Sequence, residues 1–137
     1  VTPATRYLLD TNILSDVIRR PDGRVSENIR RVGEAAICTS VVVAGELRYG
    51  AAKLGSPRLT ERVEGILDRI EVVPLSGTAD ETYGDTRAQL ERAGQVIGAN
   101  DLWIAAHALA LGCTIVTANE REFARVEGLT LENWLDD

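Results

Sequence analysis

Asp10, Glu46, Asp101 and Asn119 are the residues of this chain whose types and settings could do chemistry. Asp10 closes the apolar run Tyr7-Leu8-Leu9 and is followed at once by a helical pattern through Ile13, Leu14, Val17 and Ile18. That is how a buried parallel strand hands over to a helix. Glu46 lies beside Leu47 and three residues after Val43, on the edge of an apolar helical stripe, so it can reach inward from a half-buried position. Asp101, with Asn100, opens a segment that is apolar nearly all round, and Asn119 follows another apolar strand. Ligands in open α/β sheets gather at the carboxyl ends of the strands, and all four positions face that edge. Each has a plain structural alternative: Asp10, Asp101 and Asn119 suit helix caps, and Glu46 suits a solvated helix face. Four such coincidences at one edge favour a single site.

Acids gathered in one place need a counter-charge. Two carboxylates about 4 Å apart in a partly buried site repel by roughly 4 kcal/mol, and a third adds to this. The cluster must hold protons or a cation. Mg²⁺ and Mn²⁺ take oxygen ligands and keep several waters, activate one of those waters, and polarise phosphoryl oxygens. The expected arrangement has Asp10 as the central ligand and Asp101 as the second. Glu46 is a ligand through water or orients the attacking water, and Asn119 supports the site.

The elements that must position these residues alternate strand and helix along the chain, which predicts a parallel sheet with helices on both faces. Strands are expected at residues 7–9, 36–40, 72–73 and 114–117, with a weak edge strand at 129–131. Ser26 is expected to cap a short helix to about Val32, Ser40 to open one through Leu54, and Ser56-Pro57 to start a third. Residues 79–93, closed by Gly94, form an amphipathic helix. Residues 102–111, stopped by Gly112, form a buried one, and a short helix runs from 120 to about 126. With no linker or repeat, one domain over 1–137 is expected.

Composition limits the options. A net charge of −6 argues against a broad basic nucleic-acid-binding face, but not against a site that grips phosphate through a cation. No apolar run approaches the roughly 18 residues of a membrane span, and no signal peptide is visible, so a cytoplasmic protein is expected. Cys38 and Cys113 each adjoin β-branched residues and read as buried small hydrophobes of a reducing compartment. His107 is the only histidine, which removes a two-histidine ribonuclease mechanism; on its apolar helix it reads as a packed, hydrogen-bonded core residue. Trp103 likewise reads as core. Arg19, Arg20, Arg24, Arg30 and Arg31, along the first two helices, are either a solvated face or the contact for a nucleic-acid backbone.

The sequence resembles the PIN-domain ribonucleases of the VapC toxin type, found in type II toxin–antitoxin systems. The resemblance is carried by Leu8-Leu9-Asp10-Thr11-Asn12, Val43-Ala44-Gly45-Glu46-Leu47, the stretch from Ile97 through Asn100-Asp101 to Ala106, and Val116-Thr117-Ala118-Asn119-Glu120-Arg121-Glu122-Phe123. It implies a PIN-like three-layer sandwich, a five-stranded parallel sheet with two helices arching over an acidic pocket. It further implies Mg²⁺- or Mn²⁺-dependent cleavage of transfer or ribosomal RNA, leaving 5′-phosphate and 3′-hydroxyl ends. Homodimers are implied, as are hetero-oligomers with a small DNA-binding antitoxin that silences the enzyme. Many such proteins carry a fourth acid where this chain has Asn119; Glu120 or Glu122 could restore that charge, and a second metal ion is the feature in doubt.

Two other readings remain open at this level. A Mg²⁺-dependent phosphotransfer or phosphatase domain would share the architecture, but it expects a lysine at a late strand end, and Lys53, the only lysine, falls in a helix. A catalytically degenerate PIN-like binding module would need a lost site, whereas Asp10, Glu46 and Asp101 all remain.

Overall fold

The structure is a computed structural model that describes residues 5–135, so the outermost residues of the expected 1–137 domain lie outside the described part. Short apolar runs bounded by polar residues make the strands: β1 (Tyr7–Leu9), β2 (Ile37–Ser40), β3 (Glu71–Val73), β4 (Thr114–Val116) and β5 (Leu131–Glu132). They form one parallel sheet in the order β3-β2-β1-β4-β5, with Leu8 of β1 set between Cys38 and Ile115. Leu8, Leu9, Cys38, Ile115 and Val116 are wholly buried, which explains why these strands read as continuous apolar runs rather than alternating ones.

The helices are α1 (Thr11–Arg19), α2 (Arg24–Val32), α3 (Val41–Leu54), α4 (Pro57–Arg69), α5 (Ala79–Arg92), α6 (Ala99–Leu111) and the single turn α7 (Glu120–Phe123). The chain steps from β1 through β2 to β3 in one direction across the sheet, then crosses back to β4 and β5 on the other side of β1. Right-handed crossovers therefore put α1 to α4 on one face and α5 to α7 on the other. The packing agrees: α1 lies against α2, α3 and α4, and α5 lies along α6. The reversal falls between β1 and β4, so Asp10 emerges at the crevice where such sheets bind ligands. Gly112 ends α6 in the left-handed region (φ 70°), which a side chain would resist.

Several boundaries differ from expectation. Ser26 is not a cap; Gly23 takes that position and Ser26 is buried inside α2. Residues 34–36 form a 3₁₀ turn ahead of β2, and α7 stops at Phe123, three residues early. The edge strand lies at Leu131–Glu132, where pairing of Leu131 with Ile115 and Glu132 with Val116 fixes its register. At the opposite edge of the sheet, Arg6 and Glu71 pair at 2.6 Å, and the buried Sγ atoms of Cys38 and Cys113 meet at 3.9 Å.

Candidate active site

Asp10 both caps α1 and enters the site, so the two readings of it were never exclusive. Its extended backbone (φ −78°, ψ 168°) turns the carboxylate over the first turn of α1, where Oδ1 accepts from the Thr11 N–H at 2.7 Å. Oδ2 accepts from the Thr117 hydroxyl at 2.7 Å, across the crevice between β1 and β4. The residue is 3% exposed, and burial raises its pKa, opposed by these two hydrogen bonds and reinforced by the charge of Glu46.

Glu46 lies in the second turn of α3 and is half-buried. The Thr11 hydroxyl donates to Oε1, and the Asn100 amide donates to Oε2 at 3.2 Å. Asp101 sits in the first turn of α6 without capping it, since Gly98 holds the cap position. Its carboxyl group is pushed up to about 7 by burial, by a hydrogen bond with Glu122, and by the negative charges of Asp10, Glu122 and Glu46. The same contact, with help from Asn119 and from the charge of Arg125, holds Glu122 below its ordinary value. Asp101 thus holds a proton more readily than a free carboxyl does, and Glu122 less readily.

Asn119 precedes α7 but makes no side-chain cap, because its amide is committed elsewhere: Nδ2 donates to Asp101 Oδ2 at 3.1 Å and to Glu122 Oε2 at 2.7 Å. The structure therefore brings all four expected residues to one edge and joins to them Asn100 and Glu122, the latter one of the two acids expected to restore the missing charge. Glu122, one helical turn beyond Asn119, supplies the fourth carboxylate that position 119 lacks, whereas Glu120 turns away to Asn133. Asn100 is the amide that steadies Glu46. Its signal is its place beside Asp101 at the start of a helix. Asn12 fastens the site from below, accepting from the Ala118 N–H at 3.1 Å.

The donor set is entirely hard oxygen, four carboxylates with amide and hydroxyl neighbours, as small divalent cations prefer. Among the described residues, no three acidic, histidine or cysteine side chains are gathered tightly enough to form a ready-made metal cage. A cation of the Mg²⁺ class needs only one or two direct carboxylates and keeps its waters, so the site fits it. The raised pKa of Asp101 is what such a site shows when protons stand in for the cation.

The arginines divide. Arg19 lines a groove of about 380 Å³ that also contains Thr11, Ser15 and Glu46, and so opens onto the acids. Arg20 pairs with Asp16, and Arg31 bonds Asn28. Arg30 faces a separate groove beside Glu34 and Arg69. Lys53, which a phosphotransfer site would need at a strand end, instead ends α3 above the ring of Tyr49. Trp103 is not simple core; it is half-buried and stacks on Tyr83 with centroids 3.8 Å apart. No described helix is long and apolar enough to cross a membrane.

Comparison with known proteins follows the same lines. A family profile described as PIN domain matches residues 7–129. Ribonuclease VapC2 of Rickettsia felis is 37% identical over 130 residues, covering 93% of this chain and 97% of that protein. The tRNA(fMet)-specific endonuclease VapC of Shigella flexneri is 39% identical over 130 residues, covering 94% and 98%. Among solved structures, DNA-bound VapBC from Salmonella typhimurium superposes with a TM-score of 0.89 at 35% identity, over 96% of this chain and 99% of that one. VapBC2 from Rickettsia felis, bound to a promoter DNA fragment, gives 0.86 at 35% identity, over 95% and 99%.

Proposed function

This chain belongs to the PIN-domain family, in its VapC ribonuclease branch, and from that premise we propose that it is the endoribonuclease toxin of a toxin–antitoxin pair, hydrolysing RNA phosphodiester bonds with Mg²⁺ or Mn²⁺ at the Asp10 site. The observation that carries the reading is the convergence of Asp10, Glu46, Asp101 and Glu122 with no arginine or lysine ion-paired to any of them among the described residues. Like charges collected without a counter-ion raise the energy of the fold, and a site that binds a cation is what such a cluster is for.

Asp10 and Asp101 would hold the cation directly, with Glu46 and Glu122 on either side. When bound, the cation supplies a Lewis acid for the scissile phosphoryl group and lowers the pKa of a water. The rest is the work of the chain. Thr117 and the Thr11 N–H aim the two oxygens of Asp10, and the Thr11 hydroxyl holds one oxygen of Glu46. The other oxygen, Oε2, held only by the exposed Asn100, is free to orient the attacking water and take its proton. Asn119 keeps Asp101 and Glu122 together. Arg19, on the groove beside Thr11, is placed to meet a neighbouring phosphate of the RNA.

The partner is an antitoxin of the kind seen in the related complexes, several of which hold DNA. A homodimer, a cytoplasmic location and a transfer-RNA substrate are parts of the same proposal, the last supported by relatives named for tRNA(fMet). The test is cleavage of total RNA and of transfer RNA by purified protein with each metal, beside a chelator control and the Asp10→Asn and Asp101→Asn variants. Discrete fragments that vanish in all three controls are expected. Cleavage that survives both substitutions overturns the site, and a wild-type protein that is folded and inert with either metal returns the chain to a binding module.

A further inference from the structure

His107 takes no part in the chemistry above, yet it is one of the most deeply buried polar side chains, at 1% exposure. Its Nδ1 lies 2.8 Å from the hydroxyl of Ser40, which is wholly buried. Ser40 caps α3: its Oγ already accepts from the Val42 N–H at 3.1 Å, so the hydroxyl proton is available to point at the ring. Nδ1 is then an acceptor, and the ring is neutral with its proton on Nε2. Burial, which lowers the imidazole pKa, favours that neutral form. Nε2 has no close hydrogen-bond partner among the described residues; the ring's remaining backbone interaction is with Pro74, which has no N–H and can only accept.

The position of this bond matters more than its strength. Ser40, the last residue of β2 and the cap of α3, precedes Glu46 by six residues, and His107 follows Asp101 by six on α6, about 9 Å along each helix. Among the described residues, only two side-chain hydrogen bonds join α3 or its cap residue to α6. One is Asn100 to Glu46, at the exposed mouth of the site; the other is Ser40 to His107, in the interior. The first is made by an acid of the site; the second involves none.

Resting on the reading of the site as a cation-dependent nuclease, we infer that the Ser40–His107 hydrogen bond is a positioning device for it, holding α3 against α6 so that Glu46 and Asp101 keep the separation a divalent cation needs. His107 is thus a positioning residue that touches neither metal nor substrate.

The discriminating variants are His107→Asn, which can place an acceptor where Nδ1 stood, and His107→Gln, which can place one near Nε2. They are compared with His107→Leu and Ser40→Ala for Mn²⁺ affinity by paramagnetic resonance, for kcat and KM on RNA, and for Tm. Loss of a supporting hydrogen bond around a metal site typically costs about 10- to 100-fold in affinity or activity. His107→Leu and His107→Gln are expected to show a loss of that size in Mn²⁺ affinity and kcat, with KM for RNA within about threefold. His107→Asn should recover most of it, and Ser40→Ala combined with His107→Leu should be little worse than either alone. A Gln variant equal to or better than Asn overturns the inference, as does a Leu variant with a lowered Tm but wild-type Mn²⁺ affinity and kcat per folded molecule. If Leu does not fold, the Asn and Gln pair decides. A wild-type protein that neither binds Mn²⁺ nor cuts RNA overturns instead the functional reading beneath.

Discussion

The two edges of the sheet handle charge in opposite ways. At the amino-terminal edge, Arg6 and Glu71 meet at 2.6 Å, an ion pair of opposite signs on the surface. At the carboxyl-terminal edge, Asp10, Glu46, Asp101 and Glu122 converge with hydroxyls and amides; among the described residues none of them forms an ion pair, and only the charge of Arg125 reaches Glu122. Burial alone does not explain the contrast. Asp16, as deeply buried as Asp10, has Arg20 at 3.4 Å, so the fold neutralises a buried acid where nothing else is asked of it. An edge whose acids are left without an ion pair is what the proposed cation site requires.

The sharpest way to break this comparison is to remove one acid. Asp10→Asn or Asp101→Asn should lower RNA cleavage on the order of a thousandfold, about 4 kcal/mol in transition-state terms, while the metal-free protein melts no lower than wild type. A variant that loses stability and activity together would make the cluster a structural feature instead. Glu122→Gln should lower kcat about tenfold and weaken Mn²⁺ binding by a similar factor, whereas Glu120→Gln leaves both unchanged. Equal effects from the two would remove Glu122 from the site.

A third prediction concerns pH. The Asp101 carboxyl ionises near 7 in the folded chain and near 3.8 when unfolded. The folded state therefore keeps a proton that the unfolded state releases, and stability falls as pH rises from about 4 through 7. The stability advantage of Asp101→Asn over wild type should be absent near pH 4, grow across that window and level off above it. With solvent screening at this half-exposed group it should reach on the order of 1 kcal/mol, or about 3 °C in Tm. Mn²⁺ should stabilise wild type more at pH 8 than at pH 5.5, and a flat or inverted profile in calorimetry would count against the raised Asp101 carboxyl. The smallest effect belongs to the other edge. Arg6→Ala should cost under about 1 kcal/mol and leave cleavage per folded molecule unchanged.

Much of this was legible in the residues. Continuous apolar runs ending in polar residues located four strands to within a residue or two, because full burial on both faces demands such runs. Asp10 and Asp101 could be picked out because each stands at the boundary of an apolar element, and Glu46 because it lies on the edge of an apolar helical stripe. Glu122 was harder. Its importance depends on the α7 turn bringing it back over Asn119 and Asp101, and nothing in the local pattern separates it from Glu120. Ser26 misled because a serine ahead of Ile29 and Val32 at helical spacing looks like a cap, while Gly23 holds the cap position and Ser26 is buried inside α2. Strand order, and with it the meeting of Ser40 with His107 or of Cys38 with Cys113, arises only from tertiary packing.

Those two thiols give the protein a reporter of its own breathing. Both are shut inside the sheet, at 0% and 5% exposure, far from the edge where RNA and cation would bind. A thiol reagent can reach Cys38 only when the strands part, so its labelling rate counts openings of the sheet, with no introduced probe. Antitoxin or Mn²⁺ acting only on the closed fold would slow that labelling in proportion to their binding energy, making occupancy of one edge readable as chemical silence at the other.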